Sequence, residues 1–273
     1  MDPSIPPAVS APASHEWETP AARTAILDIA EFLADARRLV VLTGAGVSTE
    51  SGIPDFRSPG GVWSRVPPTS YRAFMSDPAA RRDYWRLRRE LRGLATSAHP
   101  NPAHHALAAL ERRGTLAGLI TQNFDGLHQA AGSSPNRVIE LHGTAHEAAC
   151  QSCDARSPIE TVQARVEAGD DDPRCLACGG FLKAATILFG QPIPPGALAA
   201  AQALAHDCDL FLVVGSSLRV IPAARLPLLA LDRGVPLLIL NLEPTPLDAR
   251  ADVLLRAPAG QALPRILAAL PVA

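Results

Sequence analysis

Short, mainly apolar runs recur along this chain and alternate with longer stretches in which apolar residues follow a helical period. The stretch 22–38 is one of the longer ones, because Ile26, Ile29 and Leu33 would share one face of a helix. The short runs lie at 39–42, 118–121, 138–141, 211–214 and 237–240. They are typical of strands that a parallel sheet buries on both faces. Such strands with helices between them predict an α/β fold with a doubly wound parallel sheet.

Small or polar residues follow these runs directly. Gly44 and Gly46 come after the first run, and glycine lets the backbone turn sharply beside a bound group. Asn123 follows the second run and Asn241 the last. Ligands of open α/β sheets bind beyond the carboxyl ends of the strands, and helix-start amides there favour phosphate. The pattern predicts a nucleotide site, although adjacent amides and acids also serve as turn formers and helix caps.

The glycine loop does not match the fingerprint of dinucleotide-dependent dehydrogenases. Thr49 stands where the Gly-x-Gly-x-x-Gly pattern needs its third glycine. An acid that binds ribose is expected about 20 residues further on, and Val66 occupies that region. The sequence therefore disfavours hydride transfer.

Composition narrows the class of protein. The chain has 273 residues, 47% of them hydrophobic, and a net charge of −2. This length suits one compact enzyme, and the charge gives no electrostatic reason to expect nucleic-acid or membrane binding. The first residues show neither a basic nor an apolar segment of the secretory kind. We therefore expect a cytoplasmic enzyme.

Four of the five cysteines form two Cys-x-x-Cys pairs, Cys150 with Cys153 and Cys175 with Cys178. This spacing is typical of Zn²⁺ held by four thiolates in tetrahedral geometry. Such a site has no open coordination position, so the predicted metal is structural. A redox pair is the alternative for either motif alone, but two pairs in one segment argue against it. The fifth, Cys208, is predicted to be a packing residue.

His142 follows the third apolar run and is the candidate general base. An imidazole has an unperturbed pKa of about 6.5, close to working pH. A lone histidine is more often structural, and His104 and His105 are expected to be helix-surface or packing residues. The arginines between 81 and 92 are expected to form a solvated face.

Five segments together resemble the sirtuins, the NAD-dependent protein deacylases. Residues 44–57 read Gly-Ala-Gly-Val-Ser-Thr-Glu-Ser-Gly-Ile-Pro-Asp-Phe-Arg, and residues 121–128 read Thr-Gln-Asn-Phe-Asp-Gly-Leu-His. His142-Gly143 and the loops 215–217 and 241–243 match further sirtuin motifs. With the two cysteine pairs, the chain resembles a bacterial-type sirtuin with a four-cysteine zinc module.

The resemblance implies an NAD-dependent protein-lysine deacylase, with acetyl-lysine the expected substrate, that yields nicotinamide, free lysine and O-acyl-ADP-ribose. NAD is then a co-substrate, Zn²⁺ is structural, and the partners are acylated-lysine proteins or peptides. His142 and Asn123 are the implied catalytic residues. The implied NAD contacts are Gly44, Ala45, Gly46, Ser48, Asp55, Phe56, Arg57, Gln122, Asn123, Asp125, Gly215, Ser216, Ser217, Asn241, Leu242 and Glu243.

Two other functions stay open at this point. Protein mono-ADP-ribosyl transfer would use the same NAD site. The other is a zinc-ribbon nucleic-acid module joined to an inactive nucleotide domain, a function that the near-neutral charge disfavours. Within the deacylase reading, sirtuins that remove succinyl groups carry Tyr-x-x-Arg on an inserted helix. Here Leu87 lies three residues after Tyr84, so we expect neutral acyl groups, acetyl or a longer aliphatic chain, to be preferred over succinyl. Tyr84 and Arg88 would still share one face of a helix, and a displaced carboxylate clamp is the alternative.

The expected organisation has two domains and a tail. Residues 1–20 are predicted to be a disordered tail. Residues 21–57, 104–145 and 187–273 would form a Rossmann-like NAD-binding domain. A helical module at 58–103 and a zinc-binding module at 146–186 would form the smaller domain.

Overall fold

A computed structural model describes residues 17–55 and 67–271. Its strands are β1 (Leu39–Thr43), β2 (Leu116–Thr121), β3 (Val138–Glu140), β4 (Gly143–Cys150), β5 (Arg156–Pro158), β6 (Leu182–Thr186), β7 (Leu210–Val214), β8 (Leu237–Leu240) and β9 (Val253–Leu255). Its helices are α1 (Pro20–Asp35), α2 (Tyr71–Ser76), α3 (Pro78–Ser97), α4 (Pro102–Arg112), α5 (Leu127–Ala130), α6 (Ile159–Glu167), α7 (Pro195–Asp207), α8 (Leu226–Leu231) and α9 (Ala259–Ala269).

The larger sheet is parallel and has the strand order β3-β2-β1-β7-β8-β9. Alternate residues of its central strands enter different cores. Val41 packs with α1, α4 and α9, whereas Val40 and Leu42 pack with α7 and α8. Helices thus cover both faces of the sheet, which explains why polar and apolar residues do not alternate along β1. The predicted doubly wound parallel sheet is confirmed.

The smaller sheet is antiparallel, with the order β5-β4-β6. Helices α3 and α6 pack against it, and Phe74, Tyr84 and Trp85 lie in its core. Neither this sheet nor β9 and α9 was predicted from the sequence. Strand β4 runs across the predicted domain boundary between residues 145 and 146. The division into domains stays a prediction.

The predicted tail is too long at its C-terminal end. Residues 1–16 lie outside the described residues, but Trp17 is buried and α1 begins at Pro20. The Trp17 indole donates a hydrogen bond to Gln261 Oε1 on α9, 2.8 Å away, and Arg265 lies over its ring. Burial of this large aromatic ring stabilises its position against α9. Residues 17–20 therefore belong to the fold and not to the predicted tail. No helix in the described part of the chain is long and apolar enough to cross a membrane.

Candidate active site

A cavity of about 1170 Å³ opens at the carboxyl ends of β1, β2, β7 and β8. The loops that follow these strands form one wall, as the sheet rule predicts. Residues of α3, α6 and the segment after β6 form the opposite wall, among them Tyr84, Gln163 and Ile187. The cavity therefore lies between the two sheets.

The loops after β1 and β7 contact each other through their backbones. Gly44 N donates to Val214 O at 3.1 Å, and Gly46 N donates to Gly215 O at 2.9 Å. A Cβ atom added at Gly44 or Gly46 would lie 2.8 Å from Gly215 O, closer than such atoms approach. Glycine is required at both positions because the loops touch there.

Asn123 and Gln122 connect the loop after β2 to these glycine loops. Asn123 Nδ2 donates to Gly44 O at 3.2 Å and to Ser48 Oγ at 3.0 Å. Gln122 Nε2 donates to Ser216 Oγ at 2.7 Å. Both side chains are held in fixed orientations while they line the cavity.

Asp125 lines the same cavity and has both carboxylate oxygens occupied. Ser48 Oγ donates to Oδ2 at 2.7 Å, and Leu127 N, at the start of α5, donates to Oδ1 at 3.0 Å. Asp125 thus also has the turn-forming role that the sequence left open. Ser48 itself is buried behind the cavity wall, so it orients Asp125 and Asn123 from behind.

His142 lies on the wall of the cavity, just after β3. Its Nδ1 is 2.8 Å from Gln122 O. A carbonyl oxygen only accepts hydrogen bonds, so Nδ1 carries the proton and the lone pair lies on Nε2. The backbone is fixed as well, because Ile187 N donates to His142 O at 2.8 Å. This tautomer is the one that can take up a proton at Nε2.

Two further histidines lie behind this wall. His104 Nε2 is 3.4 Å from Ser48 Oγ, and His128 Nε2 is 2.9 Å from Thr43 Oγ1. Burial lowers the pKa of His104 to about 4, against the opposing effect of Asp125. Burial, with the charge of His104, lowers the pKa of His128 to about 3. Both rings are therefore neutral at working pH.

The contact of His104 with the site was not predicted from the sequence. Asn101 N donates to His104 Nδ1 at 3.3 Å, within a capping box at the start of α4. The Asn-x-x-His spacing at a helix start was the available signal. His105 is exposed and His104 is buried, in line with the two roles expected for them.

The four cysteines of the two pairs come together at the end of the smaller sheet. Their sulfur atoms all lie within 4.8 Å of one another. Cys150 Sγ is 3.5 Å from Cys178 Sγ, and Cys153 Sγ is 3.8 Å from Cys175 Sγ. A tetrahedral Zn²⁺ with Zn–S bonds of about 2.3 Å needs sulfurs about 3.8 Å apart. The cluster fits a structural zinc ion, and Cys208 lies buried elsewhere in the fold.

The Sir2 family model matches residues 44–222, more than half of this chain. The chain belongs to the Sir2 family. The predicted sirtuin resemblance is thereby confirmed. The NAD-dependent protein deacetylase 2 of Streptomyces coelicolor is 50% identical over 236 residues, which cover 85% of this chain and 97% of that protein.

Solved Sir2 structures share the fold. A Sir2 complex with a p53 peptide and NAD⁺ is 38% identical, with a TM-score of 0.80, over 88% of this chain and 96% of that one. Sir2Tm bound to a propionylated peptide is 37% identical, also with a TM-score of 0.80, over 88% of this chain and 96% of that one.

Most residues singled out from the sequence meet in this Sir2 cavity. Its lining includes Gly44, Ala45, Gly46, Asp55, Gln122, Asn123, Asp125, His142, Gly215, Ser216, Ser217, Asn241, Leu242 and Glu243. Ser48 lies behind the wall, and Phe56 and Arg57 lie outside the described residues. Segments far apart in the sequence thus converge on one site.

Proposed function

We propose that His142 is the general base, and the surrounding cavity the NAD and substrate site, of protein-lysine deacylation by this chain. The chain is an NAD-dependent protein deacylase. It transfers the acyl group of a modified lysine to ADP-ribose, with nicotinamide and free lysine as the other products. The observation that carries the roles is the bond from His142 Nδ1 to Gln122 O, which leaves Nε2 able to accept a proton inside the cavity.

NAD is a substrate here, and the proposed contacts fit it. The glycines at 44, 46 and 215 keep the floor of the cavity free of side chains, where a dinucleotide could approach the backbone. The loops 215–217 and 241–243 would hold the adenosine side. Asp55 also lines the cavity, and we assign it to the NAD side with Phe56 and Arg57.

Asn123 and Asp125 are proposed to hold the nicotinamide ribose and the carboxamide. Their hydrogen bonds to Ser48 fix them before NAD enters, so less ordering is needed on binding. His142 would then take the proton of a ribose hydroxyl at Nε2. Once the acyl oxygen has displaced nicotinamide from C1′, the deprotonated ribose oxygen attacks the acyl carbon. Water then releases free lysine and leaves the acyl group on ADP-ribose.

The wall formed by Tyr84, Leu87, Ile187 and Phe189 is proposed to face the acylated lysine. It lies opposite the glycine loops and is mostly apolar, as an acyl chain requires. Acetyl-lysine is the proposed substrate. The four thiolates would hold Zn²⁺ with no open position, so the metal stabilises this wall and takes no part in the reaction.

The test is nicotinamide release from NAD by purified protein with and without an acetylated peptide. Release that depends on the peptide, with loss of the acetyl mass, is the expected result. Release with ADP-ribose attached to protein would instead indicate mono-ADP-ribosyl transfer. The matched control is the same peptide with unmodified lysine, which should give no release.

The cytoplasm is the proposed location. Thiolates that bind zinc must stay reduced, and the cytoplasm maintains that state.

A further inference from the structure

Arg81 on α3 is a buried charged residue whose guanidinium donates hydrogen bonds to Asp172 and to the carbonyl of Phe74. Its side chain is 3% exposed. Nε donates to Asp172 at 2.9 and 3.1 Å, and Nη2 donates to Asp172 Oδ2 at 3.0 Å. Nη1 donates to Phe74 O at 3.1 Å. The expectation of a solvated arginine was wrong for this residue, because its guanidinium is held as a fork by one carboxylate.

Asp172 and Phe181, which both contact Arg81, flank the second cysteine pair. Arg81 Cζ lies 3.8 Å from the centre of the Phe181 ring, and Arg174 Cζ lies 4.1 Å from the same centre. Arg174 Nη2 also donates to Asp172 Oδ2 at 2.9 Å. Residues 174 and 181 pair across the hairpin that carries Cys175 and Cys178. We refer to residues 172–181 as the cysteine hairpin.

The same face of α3 continues into the cavity. Tyr84 and Arg88 follow Arg81 at helical spacing, and both line the cavity together with Leu87. Tyr84 Oη accepts a hydrogen bond from Ala184 N of β6 at 3.1 Å. A shift of α3 at Arg81 would therefore move the side chains that form the cavity wall.

We propose that Arg81 is a positioning residue that couples the cysteine hairpin to this wall and thereby sets the affinity for acyl-lysine. That the ligand is acyl-lysine rests on the proposed function. The metal would fix the hairpin, the hairpin holds Arg81, and Arg81 places α3. Coupling between two sites is reciprocal, so docking of α3 should also retain the metal.

The first test compares Arg81→Met with Arg82→Met. Arg82 is the neighbouring exposed arginine, with a 3.9 Å contact to Asp171, and it is the matched control. For Arg81→Met we expect kcat/KM for acetyl-peptide to fall on the order of 10- to 100-fold, because misplaced binding groups are costly. The change should appear in KM for the peptide and leave KM for NAD unchanged. Arg81→Lys should be intermediate, since lysine cannot bind bidentately.

The second test measures zinc release to a chromogenic chelator, without NAD. Arg81→Met should release zinc faster than wild type and Arg82→Met. Acetyl-peptide should slow release from wild type but not from Arg81→Met. If Arg81→Met does not fold, Arg81→Lys carries both comparisons.

Equal rises in KM for peptide and NAD, or equal zinc release in the Arg81 and Arg82 variants, would overturn the coupling. Absence of deacylation in wild type would refute the proposed function instead, and zinc release would still test the link between α3 and the hairpin.

Discussion

The two sheets of this protein are stabilised in different ways. In the parallel sheet, β1, β7 and β8 are buried along their whole length, and apolar clusters cover both faces. The antiparallel sheet has three strands and a smaller core that includes two of the four clustered cysteines. A core of that size gives little stability by itself. The hydrophobic effect can sustain the first sheet, whereas we expect the second to depend on zinc bound by its cysteine cluster.

The difference separates chemistry from substrate binding. The residues proposed to bind NAD and move the proton lie on loops of the parallel sheet. The wall proposed to face acyl-lysine comes from α3 and from the segment that follows the antiparallel sheet. Loss of the metal should therefore affect the substrate wall first.

The largest effect is expected for Cys175→Ala. Thiolate zinc sites contribute about 10 kcal/mol or more to folding in isolated zinc-finger peptides. The variant should lose zinc, deprotect the amides of β4 and β6 in hydrogen exchange, and lose deacylation. Amides of β1 and β7 should keep their protection. Zinc content measures the loss of the metal, and hydrogen exchange measures the amide protection of each sheet.

Cys208→Ala is the control, because this thiol is buried outside the cluster and burial raises its pKa to about 11. It should keep zinc. Loss of amide protection in both sheets of Cys175→Ala would show that the parallel sheet also depends on the metal.

His142→Ala tests the other region. Removing a general base lowers the rate by about 10²- to 10⁴-fold. NAD binding, zinc content and Tm should stay unchanged, and some acyl-dependent nicotinamide exchange should remain, because the base acts after nicotinamide leaves. Turnover and exchange are measured on the same preparation.

His105→Ala, at an exposed position, is the control for His142→Ala and should behave as wild type. Turnover near the wild-type rate in His142→Ala would remove His142 from the mechanism.

The contrast between local and distant contacts explains what could be predicted from the sequence. Apolar strands, their polar ends and the cysteine spacing are local patterns, and they indicated the sheet, the site and the metal. The pair Arg81–Asp172 joins residues 91 positions apart, and His104 meets Ser48 across 56. Side chains that find partners only in the fold leave no periodic signal. An arginine-rich helix thus looked solvated throughout.

The buried histidines give the parallel sheet its own acid sensitivity. The folded pKa of His128 is about 3 and that of His104 about 4, against about 6.5 when unfolded. Between pH 6.5 and 4 the unfolded chain binds more protons, so stability rises with pH and is lost as pH falls. Each histidine contributes a slope of about 1.4 kcal/mol per pH unit. We expect His128→Gln to reduce the slope by that amount.

Denaturant unfolding of zinc-saturated protein at several pH values measures this slope. Zinc thiolates add a further acid dependence, but it is common to wild type and variant. His105→Gln is the control and should leave the slope unchanged. A slope in His128→Gln equal to that of wild type would mean that His128 is protonated in the fold.

The smallest effect concerns the acyl group. Tyr84 packs edge-on against Phe74 and Trp85, and Ala184 N donates to its hydroxyl, so it holds α3 in place. Leu87 stands where the succinyl-specific pattern has arginine, and Arg88 Nη2 donates to Ala145 O. A succinyl carboxylate would lose its hydration against this wall, and the arginine of the motif is not there to bind it. We therefore expect a higher kcat/KM for acetyl-peptide than for matched succinyl-peptide. Arg88→Met, compared with Arg86→Met at an exposed position, should leave that ratio unchanged; a succinyl preference that disappears in Arg88→Met would contradict it.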